Sequence, residues 1–428
     1  MIERRLAMGT GLVLAVGLIT LGHTARAQEK QPRRDVVEQE RVIAGGPKDS
    51  LEVRHLILRG SNEAIGKKLA ELAKQRYQVA AQASRDPLRT RAQRFYIAKH
   101  FPILLDRMRG VASAYGHRLD DDSWNNSDLG FIDLQAGCSV IHFPPSVTAT
   151  GKSILSRDYD FTTGSMRFGQ LPPGTLHPTA RPYLLELHPE RGYASLAMVA
   201  YDLLSGVIDG INSEGLTVAL LADDELNSRF RMEPTNESAV GLGVLQTQRL
   251  LLDTCANVEE AKLALLQTKQ YYEFLQVHYL IADRFGNAFV WEYSQAHNKE
   301  FIIENPGMPL ITTNFSLHRY LDQERPPNAE KAKKVCDRYC LLAGQLAAQT
   351  DKMSEEFVKA THKKVDAVQA NSGSNARPPI RTLWHALYIP EERRVKLSFY
   401  LHDQPLPDQP GKSRVVRSDY LEFQLAKE

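Results

Sequence analysis

Cys138 directly follows Gly137 in the segment Ala-Gly-Cys-Ser-Val-Ile-His, where helical sequence gives way to strand-like sequence. A cut between these two residues would leave Cys138 with both a thiol and a free α-amine. The pKa of an α-amine, about 7.7–8.0, suits a general base near neutral pH. One residue would then supply the nucleophile and the base of an acyl transfer. The sequence therefore makes Cys138 a candidate N-terminal nucleophile.

Arg157 and Asp160 follow directly after the strand expected at 153–156. An arginine beside the cysteine would favour the thiolate, and an aspartate would orient the ammonium group. Because they are three positions apart, the two side chains point to opposite sides of an ideal strand, so a bend is needed to bring both to the cysteine. From these residues alone, a buried structural cysteine beside a surface hairpin remains an alternative.

Other common chemistries have little support in the sequence. It contains neither a Gly-x-Ser-x-Gly elbow nor a Walker loop, and the glycine pair at Gly241 and Gly243 lacks the third glycine of a dinucleotide site. The thirteen histidines are scattered without paired ligand spacing, so a dedicated metal site is not expected. Four histidines are expected to pack in or beside strands: His142, His188, His278 and His385.

The remaining cysteines fall in helical sequence. Cys255 lies on the apolar face of one predicted helix, and Cys336 and Cys340 lie four residues apart in another. We expect all three to be buried as small hydrophobic residues, although a bridge between Cys336 and Cys340 stays open.

The N-terminus is typical of a secretory signal peptide. Arg4 and Arg5 precede an apolar run over residues 6–21, and Ala25 and Ala27 form a small-x-small cleavage signal. The alternative is a membrane anchor, but a run of about 16 residues is short of the roughly 20 that a span needs. We predict removal of residues 1–27 and export to a periplasm or the outside of the cell.

Composition excludes several classes of partner. The 428 residues are 43% hydrophobic and 24% charged, with a net charge of +2. This balance is ordinary for a globular protein and gives no electrostatic basis for binding nucleic acid or an anionic membrane. No apolar stretch beyond the signal approaches the length of a membrane span, so the mature protein is expected to have none.

Hydrophobic periodicity divides the chain into strand and helix regions. Residues 28–50 are expected to be a flexible segment, residues 51–58 a strand, and residues 61–119 helical. The remaining expected strands are 131–143, 153–156, 183–188, 194–201, 206–211, 217–222, 278–283, 288–293, 383–389 and 394–401, and the remaining expected helical regions are 241–253, 258–268 and 328–365. This order indicates an α+β layered body.

Several motifs together resemble the penicillin acyltransferase-like family, relatives of choloylglycine hydrolase and acid ceramidase among the N-terminal-nucleophile (Ntn) hydrolases. They stand in the order of that family: Leu-Arg-Gly-Ser-Asn-Glu-Ala-Ile-Gly at 58–66, Met-Arg-Gly-Val-Ala-Ser-Ala-Tyr-Gly at 108–116, Gly-Cys at 137–138, Asp-Gly-Ile-Asn-Ser-Glu-Gly-Leu at 209–216, Gln-Thr-Gln-Arg-Leu-Leu-Leu at 246–252, Val-Glu-Glu-Ala at 258–261, Ile-Ala-Asp-Arg-Phe-Gly-Asn-Ala at 281–288, Thr-Thr-Asn at 312–314 and Arg-Thr-Leu-Trp at 381–384. The resemblance covers nearly all of the chain after the signal.

The resemblance implies a four-layer αββα fold with an N-terminal helical segment. It divides the chain into a signal peptide at 1–27, a helical pro-segment at 28–137 and a catalytic domain at 138–428. Self-cleavage would occur between Gly137 and Cys138, and the cleaved segment would stay bound as a partner.

The resemblance also assigns the site residues. Arg157 and Asp160 would set the thiolate and hold the α-amine of Cys138. Asn314 would donate its side-chain amide to the oxyanion, and a backbone N–H near Ala222 would be the second donor. In relatives that position carries a larger polar side chain. Because Ala222 is small, the resemblance does not predict which residues form the pocket wall here. Arg381 would support the site electrostatically.

The implied activity is cleavage of a linear, non-peptide C–N amide bond in a small N-acyl amide through an acyl-thioester on Cys138, followed by hydrolysis or acyl transfer. No metal or organic cofactor is implied. Two other classes stay open at this point. One is a secreted cysteine peptidase with a Cys–His pair, for which His142 is the nearest candidate base. The other is a non-catalytic binding protein on the same fold.

Overall fold

The computed structural model describes residues 36–130, 137–164, 178–223, 240–271, 276–294, 299–320, 333–368, 380–409 and 413–426. These residues belong to one compact unit that spans Asp35–Glu428. The predicted signal peptide at 1–27 lies outside the described residues. Within the described part, no helix combines the length and the apolar character needed to cross a membrane.

The predicted helical regions and the longer predicted strands appear in the expected order. The strands are β1 Val37–Gly45, β2 Glu52–Gly60, β3 Gln82–Ala83, β4 Trp124–Asn125, β5 Gly137–Phe143, β6 Ile154–Thr162, β7 Tyr183–Pro189, β8 Ser195–Val199, β9 Val207–Asn212, β10 Thr217–Ala222, β11 Val277–Ala282, β12 Ala288–Ser294, β13 Lys299–Glu304, β14 Leu310–Thr312, β15 Ile380–Ile389, β16 Arg394–Pro405, β17 Ser413–Arg417 and β18 Leu421–Gln424. The helices are α1 Asn62–Tyr77, α2 Pro87–His100, α3 Pro102–Tyr115, α4 Val244–Thr254, α5 Val258–Gln267, α6 Lys333–Ala347 and α7 Glu355–Lys363, with short 3₁₀ turns at Pro178–Ala180, Leu317–Tyr320 and Pro390–Glu392. The structure adds β1, β3, β4, β13, β14, β17 and β18, which were not predicted.

Two large sheets form the centre of the protein. One has nine strands in the order β1-β2-β7-β8-β9-β10-β11-β12-β13, and the other runs β14-β5-β6-β15-β16-β17 with β18 added beside β16. The pairing is antiparallel apart from β2, which runs parallel to β7. Strands β9 and β10 of the first sheet are buried along their whole length, as are nearly all positions of β6 and β15 in the second.

Helices cover the outer face of each sheet. Helix α4 packs on β9 and β10, while α6 and α7 pack on β14 and β6. The main apolar core fills the space between the sheets and beneath the first helical layer, and a smaller core around Ile141, Phe143 and Leu342 lies between the second sheet and α6–α7. This α+β arrangement of helix, sheet, sheet and helix confirms the predicted four layers.

The N-terminal segment differs from the expectation at residues 28–50. Strand β1 occupies positions that were predicted to be flexible, and it pairs with β2 as the edge of the nine-stranded sheet. Its residues from Val37 to Val42 are all exposed. Exposed edge strands carry charged side chains and need no apolar face, which is why the sequence resembles a loop. The predicted helical segment therefore also contributes two strands to the main sheet.

Helices α1 and α3 cross closely because glycines lie at their contact. A β-carbon at Gly66 would lie 2.1 Å from the carbonyl oxygen of Arg107, and one at Gly110 would lie 2.0 Å from that of Glu63. The same crossing places Arg107 against Asp253 of α4, with Nη1 2.6 Å from Oδ2 and both side chains fully buried. A buried ion pair thus joins the chain before the predicted cut to the chain after it.

The three cysteines of helical sequence have different environments. Cys255 and Cys336 are buried, in agreement with their predicted packing role. Cys340 is exposed on α6, so the prediction that it is buried is wrong. A spacing of four residues brings two side chains to the same helix face. On α6 the rest of the protein covers Cys336 but leaves Cys340 in contact with solvent.

Candidate active site

Cys138 lies near the start of β5, and its side chain points into the space between the two sheets. It is fully buried and stands opposite Tyr159 in the antiparallel register of β5 and β6. The Nη2 atom of Arg157 donates to its Sγ atom over 3.4 Å. A fixed guanidinium beside the sulfur stabilises the thiolate form. The predicted pairing of Cys138 with Arg157 is therefore present in the structure.

Arg157 is held in place by the other sheet. Its Nη2 atom also donates to the carbonyl oxygen of Leu220 over 3.1 Å, and its Nε atom lies 2.9 Å from Oδ2 of Asp209. Burial lowers the pKa of Arg157, but Cys138 and Asp209 raise it more, so the net shift is upward. Arg157 consequently stays charged although it is fully buried.

Asp209 is an anchor that the sequence analysis did not assign to the site. Its carboxylate accepts hydrogen bonds from Nε1 of Trp384 over 3.0 Å and from the hydroxyl of Tyr388 over 2.5 Å. Burial raises the pKa of Asp209, whereas Arg157 and these two donors oppose the increase. The ion pair between Asp209 and Arg157 connects the two sheets directly behind the sulfur.

Asn314 lies just beyond β14, at the position that continues the β14–β5 register opposite Cys138. Its Oδ1 atom accepts the backbone N–H of Cys138 over 2.7 Å, and its Nδ2 atom donates to the carbonyl oxygen of Ala222 over 2.6 Å. The side chain therefore replaces the backbone partner that a longer β14 would have supplied. Asn314 is also buried, as a site for charge stabilisation requires.

The backbone of Ala222 points into the same space. The backbone N–H of Asp223 donates to the carbonyl oxygen of Gln276 on the β11 side, so Asp223 and Gln276 form a hydrogen-bonded pair. Hydrogen-bonded and non-hydrogen-bonded pairs alternate, so the neighbouring pair of Ala222 and Val277 is not hydrogen-bonded. In an antiparallel ladder the N–H and C=O of such a residue both point away from that partner strand. The N–H and C=O of Ala222 therefore point toward Asn314. Strand β9 does not occupy this side, because its pairing with β10 ends at Ala219. The N–H of Ala222 therefore points to the same side as Asn314, in the region where the resemblance implies a second donor.

Asp160 is brought to Gly137 rather than to the sulfur. The two residues are opposite each other in the register, and a β-carbon at Gly137 would lie 3.3 Å from Cβ of Asp160. Its carboxylate accepts from Thr382 over 2.6 Å and from Nη1 of Arg338 over 2.6 Å. Burial raises the pKa of Asp160, while Arg338 and Thr382 oppose that rise.

Strand β15 has an irregularity opposite the end of β6. The register shifts between Thr382 and Trp384, which leaves an additional residue opposite the Tyr159–Asp160 step. Such a bulge bends and twists the paired strands. Arg157 and Asp160 keep the opposite orientations of an ordinary strand, because the β5–β6 register is uninterrupted, so no bend brings both side chains to the sulfur.

Arg338 is a site residue that the sequence analysis missed. It lies on α6, and besides Asp160 its guanidinium donates through Nη2 to Oδ1 of Asn314. It therefore connects two predicted site residues. The only signal in the sequence is one basic residue among several in a helical stretch, which does not distinguish it from a surface arginine.

Arg381, which the resemblance assigns to electrostatic support, has other contacts. It forms a two-pronged ion pair with Asp403, with distances of 3.1 Å from Nε and 2.6 Å from Nη2. Arg381 and Thr382 are adjacent on β15, and adjacent strand residues point to opposite faces of a sheet. The described side-chain ion pair of Arg381 is with Asp403 and not with a site residue. The guanidinium beside Asp160 belongs to Arg338.

No Cys–His pair is formed by His142, the histidine that the peptidase alternative would use. His142 lies four residues from Cys138 along β5, which separates their Cα atoms by about 13 Å. Its Nε2 atom is 2.8 Å from Oγ of Ser153, and burial lowers its pKa to about 3. His142 therefore cannot accept the thiol proton of Cys138 in this arrangement.

Comparison with known proteins identifies a family for this chain. The sequence profile of the family described as acyl-coenzyme A:6-aminopenicillanic acid acyl-transferase matches residues 176–403, which is more than half of the chain. The match begins after Cys138, Arg157 and Asp160. It includes Ala222 and Asn314. No curated protein sequence matches this chain.

Similar solved structures include three hydrolases. A mutant of the conjugated bile acid hydrolase from Clostridium perfringens is 14% identical, with 68% of this chain and 97% of that chain covered and a TM-score of 0.38. Penicillin V acylase from Agrobacterium tumefaciens is 15% identical, with 66% and 86% covered and a TM-score of 0.38. A Caenorhabditis elegans ortholog of N-acylethanolamine-hydrolyzing acid amidase is 15% identical, with 59% and 93% covered and a TM-score of 0.35.

The family match and the layered α+β fold agree with the expectation drawn from the motifs. The chain belongs to the acyl-coenzyme A:6-aminopenicillanic acid acyl-transferase family and is an acyl-transferring or amide-hydrolysing enzyme.

Proposed function

We propose that this protein is an exported N-terminal-cysteine amidase that cleaves a linear, non-peptide C–N amide bond through an acyl-thioester on Cys138. Self-cleavage between Gly137 and Cys138 produces the active form. The observation that carries the proposal is the placement of Arg157 at 3.4 Å from Sγ while Asn314 holds the backbone N–H of the same residue at 2.7 Å. A merely structural buried cysteine needs neither contact.

Maturation begins with attack of the Cys138 sulfur on the carbonyl carbon of Gly137. The C–N bond breaks, a thioester to Gly137 forms, and the nitrogen of Cys138 takes up the proton of the thiol. Water then hydrolyses the thioester, which releases the carboxylate of Gly137 and returns the thiol. The new α-amine keeps Oδ1 of Asn314 as an acceptor and gains the carboxylate of Asp160, across the former Gly137 position, as an orienting charge.

Turnover uses the same groups on the substrate. The α-amine of Cys138 takes the thiol proton as the sulfur adds to the amide carbonyl. The developing oxyanion receives hydrogen bonds from the backbone N–H of Ala222 and from the second N–H of the Asn314 amide, whose first is directed to the Ala222 carbonyl. The leaving amine takes the proton, and water attacks the thioester to release the acid. An acceptor amine in place of water would give acyl transfer.

The test of maturation is the covalent state of the purified protein. Self-cleavage predicts two chains of 110 residues (28–137) and 291 residues (138–428), which separate only under denaturing conditions. The second chain should begin with Cys138 in N-terminal sequencing. Cys138→Ala should remain one chain, whereas Cys255→Ala, a buried cysteine elsewhere, should be cut like the wild type. Full amidase activity in uncut wild-type protein would refute the proposal.

A second test separates the two roles of Asn314. Asn314→Asp keeps an oxygen that can accept from Cys138 but loses the amide donor, so kcat should fall about 10²–10³-fold with little change in KM. Thr313→Ala is the matched control, because its hydroxyl has no hydrogen-bond partner among the described residues. Equal turnover in Asn314→Asp and Thr313→Ala would remove Asn314 from the oxyanion site.

Hydrolysis is the reaction that the proposed location favours. The signal-peptide pattern at 1–27 supports export, and outside the cytoplasm water is abundant whereas activated acyl donors such as acyl-coenzyme A are not expected. The proposed substrate is accordingly a small N-acyl amide, and no membrane span or nucleic acid takes part. Fractionation of cells that express the full chain, with mass measurement of the mature N-terminus, tests the location.

A further inference from the structure

A second buried polar cluster lies on the opposite face of the seven-stranded sheet from Cys138. Asp158 of β6 and His385 of β15 are directly opposite in the register, and His362 of α7 covers them. All three are buried, and one potential ligand atom from each lies within 4.8 Å of the others. The mechanism at Cys138 uses none of these side chains.

The Asp158 carboxylate and one ring nitrogen of His362 lie in this cluster without a described donor. Among the described residues, no N–H group or hydroxyl donates to either carboxylate oxygen of Asp158 or to Nε2 of His362. A second carboxyl group, that of Asp366, lies against Asp158 and can hydrogen-bond to it when one of the two is protonated. The nearby guanidinium of Arg417 directs its described hydrogen bonds to Thr382 and Ser398 instead. An uncompensated buried carboxylate costs several kcal/mol, so this arrangement calls for a bound cation or a shared proton.

His385 is oriented in the manner of a metal ligand. Its Nδ1 atom is 2.6 Å from the hydroxyl of Tyr420, which turns Nε2 toward the cluster at 4.0 Å from Oδ1 of Asp158. A hydrogen-bonded partner on the second ring nitrogen is the usual support of a ligating histidine. The hydroxyl of Ser156 lies between the histidines, 2.9 Å from Nε2 of His385 and 2.5 Å from Nδ1 of His362.

We propose that Asp158, His362 and His385 bind a divalent transition-metal ion such as Zn²⁺. Three atoms within 4.8 Å of one another lie about 2.8 Å or less from a common centre, so a contraction of less than about 1 Å gives zinc–ligand distances of about 2.0–2.2 Å. Two imidazoles and one carboxylate are a donor set that zinc accepts, with a further position left for water. The ion would fasten α7 to the sheet that carries Arg157 and Asp160. This proposal does not depend on the function proposed for Cys138.

The test is metal binding by the full chain produced without a histidine tag. Chelator-treated protein is incubated with Zn²⁺, desalted and analysed for bound metal, and Co²⁺ is titrated in parallel while visible absorption is followed. We expect one ion per chain and the absorption of cobalt held by nitrogen and oxygen ligands. Asp158→Asn and His362→Gln should weaken binding at least about 100-fold. His142→Gln, a buried histidine outside the cluster, should bind like the wild type.

Wild-type protein that is folded by circular dichroism and retains no metal would overturn the proposal and leave a proton shared between Asp158 and Asp366. Unchanged binding in Asp158→Asn or His362→Gln would also overturn it. If these variants do not fold, X-ray absorption of the zinc-loaded wild type decides the question. Two imidazole ligands on the metal support the site, and none refutes it.

Discussion

The buried ion pair between Arg107 and Asp253 makes a specific prediction about the cleaved protein. Arg107 is on α3, before the predicted cut, and Asp253 is on α4, after it, so in the two-chain form this pair becomes a contact between chains. Arg107→Met keeps the length of the side chain but leaves Asp253 with Arg249 as its remaining cation. Removal of one partner of a buried pair costs about 3–5 kcal/mol. Because 1.4 kcal/mol is a factor of ten, association of the chains should weaken at least about 10²-fold.

The matched control is an exposed ion pair that crosses the same junction. Asp106 of α3 lies 2.5 Å from Arg191, and their side chains are 27% and 56% exposed. Exposed pairs of this kind contribute about 0–1 kcal/mol. Arg191→Met should therefore leave association within about fivefold of the wild type, although it crosses the same boundary between the two chains.

The assay is size-exclusion chromatography of cleaved protein over a dilution series, with the chain masses measured in each peak. Wild type and Arg191→Met should elute as a two-chain complex throughout, whereas Arg107→Met should release the smaller chain on dilution. Thermal unfolding of the two variants provides a second measurement. Equal retention of the smaller chain in both variants, with equal melting temperatures, would refute the reasoning that the buried pair holds the segment.

Three further predictions concern stability and accessibility. Burial raises the pKa of Glu186, but hydrogen bonds from His188 and His55 outweigh it and lower the pKa from 4.5 to about 2. After allowance for solvent screening at this partly buried site, the Glu186 carboxylate contributes about 2 kcal/mol to the free energy of unfolding above pH 4.5, and this contribution is lost as the pH falls toward 2. Glu186→Gln should therefore flatten this part of the acid-unfolding curve. An unchanged curve would contradict the assignment. Gly110→Ala places a β-carbon 2.0 Å from the backbone of α1 and should lower the free energy of unfolding by about 3 kcal/mol or more, and a melting temperature equal to wild type would exclude this close packing. Iodoacetamide should label Cys340 in native protein and the buried helical cysteines only after urea, as peptide mass spectrometry can check; protection of native Cys340 would contradict its exposure.

The layers of the fold could be predicted from the sequence because they follow from apolar periodicity. Strand β10 is an apolar run with turn signals at its ends, and it formed where expected. Strand β6 was predicted only over 153–156 and continues to Thr162, because its second half carries charged and polar side chains that hide the strand pattern. Strand β1 was missed because all of its positions from Val37 to Val42 are exposed. An edge strand needs only backbone pairing, and backbone pairing leaves no pattern of side chains in the sequence.

The site was predictable where the functional residues are near one another in the sequence or belong to a recognisable motif. Cys138, Arg157 and Asn314 meet as expected. Arg338 was missed because its role depends on the position of α6 above β6, which no local spacing encodes. The cluster of Asp158, His362 and His385 was missed for the same reason, since Asp158 is separated from the two histidines by more than 200 residues.

The ion pair between Arg157 and Asp209 bears on whether folding or cleavage comes first. The sulfur and Arg157 belong to one sheet, while Asp209 and the Ala222 backbone belong to the other. A newly made chain whose sheets have not yet closed on each other has a cysteine but no charged partner fixed beside it and no place for an oxyanion. Peptide-bond cleavage at Cys138 would then be a late event that marks chains whose two halves have already come together. Misfolded chains would keep the Gly137–Cys138 bond intact, so Cys138 would have no free α-amine and the chain would be inactive.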